Sequence, residues 1–312
     1  PFRPLYSYGG PTRSVSNLFD LMVSNNINPI VLSPVKNLDG TFNKNIQEDQ
    51  TNNIFYCNNI FEILKQLKRG DVLWLNSIFD PKTLIILFFS SLRNCQTIIS
   101  PRGELASAAL TSSKPILKKF YLKIVKVLGS KITFHATSKD ELKALGYYFK
   151  SNNKIQLPNL VSLKYFPNSN FKKTFVFYSR IHKKKGLLEM LTLLKNSSLR
   201  IKLDIYGFIE DKEYWKDCIS IINELDGIEY RGNIKKGDVK TLRNEYTFFL
   251  FPTLNENFGH VIMEAISIGM IPIITKHATP FEELTSKYFN LNFELNKESF
   301  YNSIENAISL NE

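Results

Sequence analysis

The sequence predicts an α/β fold built from two doubly wound domains with parallel sheets. Three observations predict it. Short runs rich in β-branched and aromatic residues recur along the chain; each is followed by a segment with helical periodicity; and the series is interrupted once by a stretch rich in Pro, Asn and Ser. A chain of 312 residues, 43% of them hydrophobic, buries a substantial core and has the length of two domains.

In chain order, the expected strands of the first half are 29–33, 72–76, 97–100, 132–135 and 154–157. Those of the second half are 175–180, 201–206, 228–231, 248–252 and 271–275. Between them, helical periodicity covers 11–24, 60–68, 113–128, 139–145, 186–194 and 238–246. The run 84–89 is the longest strongly apolar stretch, far short of the roughly 20 residues of a membrane span, and reads as a core helix. The segment LPNLVSLKYFPNSNFKK, 157–173, is the natural linker, giving domains of 1–164 and 165–312. One irregularity stands at the start: a doubly wound domain normally opens with a strand, yet Gly9-Gly10 follows only PFRPLYSY. Either that octet is a degenerate strand or the first strand is missing from the chain. The closing SIENAISLNE stops within a helical pattern.

Charge divides unevenly. Residues 1–164 hold 21 Lys and Arg against 10 Asp and Glu, whereas 165–312 hold 19 of each, so the whole net charge of +11 lies in the first half. An anionic partner on that side, or a solvated Lys-rich surface, accounts for it equally well. Nucleic acid is disfavoured, because no stacked-aromatic or recognition-helix motif accompanies the charge. Cys57, Cys95 and Cys218 lie far apart without metal-ligand spacing, which fits buried thiols in a reducing, cytoplasmic compartment. The N-terminus lacks the layout of a secretory signal.

Loops after strands are where open α/β sheets bind ligands, between the two domains of such a chain as well as within each. In TFVFYSRIHKKKGLLEMLTLLK a strand leads to a basic loop, a Gly and a helix. Arg180 at the strand end and Lys185 before the helix are placed to converge with free helix N–H groups on one anion, phosphate being the obvious guest. In FFLFPTLNENFGHVIMEAISIG a strand leads through a loop into a helix expected over 258–268, closed by Gly269. Glu256 lies in that loop, and Glu264 about two turns into the helix, roughly 12 Å along its axis. A carboxylate ahead of the helix suits sugar hydroxyls, while the Phe258 and Gly259 N–H groups suit an attached phosphate. Taken alone, Glu264 reads as an exposed helix flank, and Asn257 and His260 as local caps.

The combination of SRIHKKKG, YRGNI and FPTLNENFGHVIMEAISIGMIPIIT resembles the retaining family-four glycosyltransferases, glycosyl transferases group 1, of the GT-B fold. Glu256 and Glu264 match the spacing of that family's Glu-x7-Glu signature. GGPTRSV, SPRGELASAAL and FHATSKDE are similar to its N-terminal motifs, in the family's order. The resemblance implies two Rossmann-like domains facing across a cleft. It implies that Arg180 and Lys185 bind the donor diphosphate, that Glu256 holds donor-sugar hydroxyls with Asn257, Phe258 and Gly259 beside it, and that Glu264 binds the ribose. Asn233 and Ile234 would lie near the base, and Gly10 near the phosphate or acceptor. Arg102 stands where many relatives carry His; a guanidinium does not serve as a general base at neutral pH, so it is cast as an anion or hydroxyl binder on the acceptor side, with Glu104 the nearest carboxylate. No catalytic base is assigned. The co-substrate is a nucleotide diphosphate sugar, and no metal or other cofactor is expected; the sequence contains no Asp-x-Asp motif.

The segment KPILKKFYLKIVKVLGSK places Lys119, Lys123 and Lys126 on one side, with Ile116, Phe120, Ile124, Val127 and Leu128 offering apolar surface. It reads either as a helix on an anionic membrane, which would set the protein at the inner face of the plasma membrane near lipid-linked acceptors, or as an ordinary sheet-covering helix. The implied context is bacterial surface polysaccharide or lipopolysaccharide assembly. Two competing readings are a nucleotide-sugar epimerase of the same architecture and an inactive glycan-binding module.

Overall fold

The computed structural model describes residues 10–34, 53–57, 59–111, 114–128, 131–161, 171–234 and 236–310. The chain forms two compact units, Pro1–Leu160 and Val161–Glu312. The question of a degenerate first strand falls on residues 1–9, and most of the expected linker on 162–170; both lie outside the described residues.

In the first unit, helix α1 (Gly10–Ser24) precedes a parallel strand pair, β1 (Val31–Pro34) and β2 (Ile54–Cys57). There follow α2 (Ile60–Gln66), β3 (Val72–Leu75), α3 (Pro81–Leu92), β4 (Gln96–Ile99), α4 (Ser107–Thr111), α5 (Pro115–Leu128), β5 (Ile132–Ala136), α6 (Lys139–Tyr148) and β6 (Asn153–Gln156). Strands β3, β4, β5 and β6 form one parallel sheet in chain order. Three of these helices start where a side chain satisfies an orphan N–H: Asn59 caps α2, Asp80 caps α3 ahead of Pro81, and Ser138 caps α6. The core beneath these helices gathers Ile78, Leu87, Ile99, Phe134, Leu145 and Phe149, with the Phe134 and Phe149 rings stacked 4.2 Å apart.

The structure departs from the sequence expectation at three places here. Strand β2 was not anticipated, because IFYC is too short to show alternation. The expected helix 113–128 is α5 alone, since Lys114 adopts a left-handed φ of 57° just before Pro115. The apolar run 84–89 lies in α3, but only one face of that helix is core: Ile86 and Leu87 are buried, whereas Ile85 and Phe88 are exposed.

The second unit runs β7 (Thr174–Tyr178), α7 (Leu187–Lys195), β8 (Lys202–Tyr206), α8 (Lys212–Ile222), β9 (Ile228–Gly232), β10 (Phe248–Phe251), α9 (His260–Ser267), β11 (Ile271–Ile274), α10 (Glu282–Tyr288) and α11 (Lys297–Ser309). A 3-10 turn, Lys183–Lys185, precedes α7. A 3-10 run, Lys236–Asn244, stands where an α-helix over 238–246 was expected. All five strands are parallel, in the order β11-β10-β7-β8-β9. The chain therefore winds outward from β7 to β9, then returns to lay β10 on the other side of β7. Central strands of such a sheet are covered on both faces, which is why Phe248, Phe249, Leu250 and Phe251 are all fully buried and read as a continuous apolar run.

Candidate active site

The strand order reverses between β7 and β10, and the carboxyl ends of the strands at such a reversal are the usual ligand position of an open α/β sheet. The loops leaving those two strands are fastened to each other. Gly186, which follows the 3-10 turn, has a left-handed φ of 68°, and a Cβ there would stand 2.0 Å from the Pro252 carbonyl oxygen. The Leu254 N–H and the Thr253 hydroxyl both donate to the Lys184 carbonyl, at 3.0 and 3.1 Å. His182 holds the turn from its other end, its Nδ1 accepting the Lys184 N–H at 3.1 Å.

This fastening brings together residues 71 positions apart. The Lys185 ammonium forms an ion pair with the Glu256 carboxylate, and both side chains are largely enclosed, 13% and 14% exposed. Fully buried Thr253 sits beneath, its hydroxyl 3.4 Å from the same carboxylate oxygen. The Lys185 ammonium also lies 5.6 Å from the Phe251 ring centroid. On the far side, the Glu256 N–H donates to the Ala278 carbonyl at 2.7 Å, so the loop after β11 fixes the backbone of Glu256.

Arg180 takes a different partner. Its Nη1 donates to both carboxylate oxygens of Glu210, at 2.9 and 2.7 Å, and the pair is solvent-exposed. Glu210 belongs to the loop after β8, which is fastened to the loop after β7 in turn. Ile181 donates to the Phe208 carbonyl at 2.8 Å, Glu210 donates back to the Ile181 carbonyl at 3.1 Å, and a Cβ on Gly207 would stand 1.8 Å from the Ser179 carbonyl oxygen. Glu210 was missed from sequence, although it lies in the loop after β8 as Arg180 lies in the loop after β7.

Helix α9 begins at His260 rather than at Phe258, because Gly259 adopts the left-handed conformation, φ 81° and ψ 54°. The Phe258 side chain is turned into the core, its ring 4.9 Å from Phe281 and 4.7 Å from His260. Phe258 and Gly259 thus offer only backbone groups, while half-buried Asn257 stands just before them. Glu264 lies half-buried about one turn into α9, not two, which corrects the separation expected from an uninterrupted helix. Asn233 and Ile234 follow β9 at the other edge; Asn233 is exposed and Ile234 packs partly against the core.

In the first unit Gly10 is the opening residue of α1. Arg102 and Gly103, after β4, have left-handed φ values of 55° and 87°. The Arg102 Nε and Nη2 donate to Asn76 Oδ1 at 3.1 and 2.9 Å, and Nη1 donates to Asn159 Oδ1. Asn76 follows β3 and Asn159 follows β6, so the guanidinium spans the carboxyl edge of the sheet. Burial lowers its pKa to about 10, with the Glu141 charge opposing that shift. Glu104 is engaged by the loop after β3, accepting the Ser77 hydroxyl at 2.7 Å and the Ile78 N–H at 2.6 Å; burial raises its pKa against those bonds. Buried Glu141 accepts the Gly103 N–H at 2.6 Å, the Thr137 N–H at 2.7 Å and the Thr137 hydroxyl at 2.8 Å. Beside these, the Trp74 indole N–H donates to Ser100 Oγ at 2.7 Å. Ser100 Oγ lies 2.7 Å from His135 Nδ1, and His135 Nε2 lies 2.9 Å from the Leu157 carbonyl. Asn76, Asn159 and Glu141 escaped the sequence reading.

Helix α5 buries Tyr121, Leu122 and Val125 and turns outward Ile116 (84% exposed), Phe120 (58%) and Val127 (84%), with Lys119, Lys123 and Lys126 exposed beside them. Ile124 and Leu128 are half-buried. No helix among the described residues is long and apolar enough to cross a membrane.

The curated proteins yield no match to the sequence. Solved structures do resemble the chain in fold. The Anabaena protein HepE, in complex with UDP and glucose, aligns over 96% of this chain and 87% of its own at a TM-score of 0.72 and 14% identity. Sucrose-phosphate synthase from Thermosynechococcus elongatus aligns over 95% and 84% at 0.65 and 14% identity. The UDP-forming α,α-trehalose-phosphate synthase of Burkholderia xenovorans, in complex with glucose-6-phosphate, aligns over 81% and 68% at 0.59 and 11% identity. Together with the two parallel-sheet units, this likeness shows the GT-B fold. Residues 164–312, nearly the whole of the second unit, match the family model described as glycosyl transferases group 1.

Proposed function

We propose that the chain is a retaining glycosyltransferase of this family, moving a sugar from a nucleotide diphosphate sugar to a hydroxyl of a glycan or lipid-linked acceptor. The observation that carries the reading is the meeting of Lys185 and Glu256 at the switch point between β7 and β10. In the reaction, Lys185 exchanges Glu256 for the donor diphosphate, and Glu256 is freed to accept donor-sugar hydroxyls. Arg180, one loop along, leaves Glu210 for the same diphosphate. As the bond from the anomeric carbon to the phosphate oxygen breaks, negative charge grows on the diphosphate, and these two cations stabilise it most at that moment. The acceptor oxygen forms its bond on the face the diphosphate leaves, and the acceptor proton passes to a diphosphate oxygen. Two fixed cations supply the charge that a divalent ion supplies elsewhere, so the reaction is read as metal-independent. Glu264 serves the ribose, Asn233 and Ile234 the base, Asn257, Phe258 and Gly259 the sugar-phosphate, and Gly10 the donor phosphate or the acceptor. UDP is the first nucleotide to test, since HepE was solved with it.

The test is a thermal-shift screen of nucleotide sugars, then donor hydrolysis and transfer with Arg180→Ala, Lys185→Ala and Glu256→Ala, with and without EDTA. Donor binding unchanged in all three variants would sink the assignment, and EDTA-sensitive transfer would sink metal independence. The lysines and outward apolar residues of α5 support a second element of the proposal: peripheral attachment to an anionic membrane at the cytoplasmic face, as suits assembly of a bacterial surface polysaccharide. Sedimentation with phosphatidylglycerol vesicles that weakens with salt, and again in Phe120→Asp, is the expected result; no sedimentation discards it.

A further inference from the structure

We infer that the Arg102 guanidinium is a recognition site for an anionic group on the acceptor sugar, a carboxylate or a phosphate, and so that the acceptor is a charged rather than a neutral glycan. The inference rests on the glycosyltransferase reading and specifies the substrate class of its acceptor side.

Three features of the first unit carry it. First, the guanidinium is aimed and held by neutral groups. Nε, Nη2 and Nη1 all donate to carboxamide oxygens, those of Asn76 and Asn159, and among the described residues no carboxylate forms an ion pair with it. A guanidinium has five N–H groups, so one on each Nη is left over. Arg102 is half-buried, and a guanidinium partly withdrawn from water is usually neutralised by a bonded acid, because an unpaired charge is costly to desolvate. Second, the nearby acids are committed elsewhere. Glu141 receives three hydrogen bonds from Gly103 and Thr137, and Glu104 receives its own from Ser77, Ile78 and Phe79. Their lone pairs hold loops in place, and neither carboxylate closes on Arg102. Third, the backbone bears a cost to present this side chain. Arg102 has a left-handed φ of 55°, a conformation disfavoured for any residue with a Cβ, and it sits where the loops after β3, β4 and β6 come together. A neutral hydroxyl would not require a rigid, carboxamide-oriented cation; a planar carboxylate or a phosphate takes the free N–H pair with charge assistance.

The test measures sugar binding by calorimetry with UDP at saturation, so that phosphate binding at Lys185 and Arg180 is blocked. The probes are glucuronate, glucose 6-phosphate and glucose. The wild-type protein is expected to bind one of the two anionic sugars at least about 10-fold more tightly than glucose, by the arithmetic of one charge-assisted pair, and to lose that preference as salt is raised. Which anion is preferred distinguishes a uronic acid from a sugar phosphate. Arg102→Gln should abolish the preference, and Arg102→Lys should retain part of it, while UDP affinity in both stays within about 2-fold of wild type; melting curves verify that each variant folds. Equal binding of the three sugars, or a preference that survives in Arg102→Gln, overturns the proposal. So does a loss of UDP affinity in Arg102→Gln, which would assign the site to the donor phosphate. Failure of UDP to bind the wild-type protein refutes the donor reading instead, and the anion preference without UDP then decides the Arg102 site on its own.

Discussion

Replacing Gly186 with Ala tests whether the fastening of two loops sets the candidate site. Two costs apply at this position. Its φ of 68° is left-handed, a conformation that disfavours an L-residue by about 1–2 kcal/mol. The added Cβ would also stand 2.0 Å from the Pro252 carbonyl oxygen, where even a tight contact needs 3.0 Å, so the carbonyl must retreat by about 1 Å. Overpacking of this kind adds about 1–3 kcal/mol. The sum is about 2–5 kcal/mol, which for a unit of this size lowers melting by about 5–15 °C. Function should suffer through geometry: a displaced Pro252 pulls Thr253 and Leu254 off the Lys184 carbonyl and shifts Lys185 from its place beside Glu256. If Lys185 loses one charge-assisted contact to a diphosphate, about 1.5–3 kcal/mol, UDP affinity falls about 10–150-fold. Differential scanning calorimetry of the UDP-sensitive transition and a UDP titration measure the two effects. Gly70→Ala is the control, with a φ of 84° but nothing within 4 Å of the added Cβ, so it should show the backbone cost alone and bind UDP normally. Wild-type melting in Gly186→Ala would refute the packing argument, and a lower melting temperature with unchanged UDP affinity would refute its functional half.

Lys185→Ala should weaken UDP binding at least about 10-fold, whereas Glu256→Gln should leave UDP affinity within about 3-fold and lower sugar transfer at least about 100-fold; UDP titrations beside initial-rate assays separate the two roles, and equal effects on both readouts would deny the division of labour. Glu210→Gln removes the carboxylate that competes for Arg180, an exposed pair worth at most about 1 kcal/mol, so UDP should bind about 2–5-fold more tightly at low salt; weaker binding would make Glu210 a support instead. Burial and the Arg102 charge hold the pKa of His135 below its ordinary 6.5. The unfolded chain therefore takes up this proton first as pH falls, so the first unit should lose stability below pH 6.5, by at most about 1.4 kcal/mol per pH unit, until the folded pKa is passed. Denaturant melts between pH 5 and 8 should show that slope in wild type and not in His135→Gln, and a flat wild-type profile would contradict the burial argument.

Strand runs such as 175–180 and 248–252 were legible because both faces of a parallel strand are covered, leaving an uninterrupted apolar signature; the structure ends these strands earlier, at Tyr178 and Phe251. Strand β2 was not legible, being four residues paired, among the described residues, only with β1, and neither was the left-handed φ of Lys114 just ahead of α5. Helix α9 was placed but begun two residues early, because the sequence shows a Gly at 259 without showing that its φ is positive. Burial was misjudged in α3, read as a core helix: it is apolar well beyond the face it buries, and composition alone does not reveal which residues are turned outward, whereas the apolar surface expected of α5 is exposed at Ile116, Phe120 and Val127.

The candidate site divides along a different line. Lys185 and Glu256 could be singled out because strand, loop and helix order assigns both to the same edge of one sheet, and the structure joins them. Arg180 was assigned to the same edge, but its observed partner depends on a third loop whose acid, Glu210, has no signature of its own. Carboxylates are the hardest residues to sort. Glu104 and Glu141 lie at strand ends as Glu256 does, yet each is saturated by hydroxyl and backbone N–H donors that set loop geometry. Glu282 behaves likewise, accepting the His277 N–H at 2.7 Å and so holding the turn that presents the Ala278 carbonyl to Glu256. What distinguishes Glu256 is the partner of its carboxylate, an ammonium ion that a more highly charged anion can draw away, whereas a carboxylate bonded to its own loop has no such competitor and stays where the fold needs it.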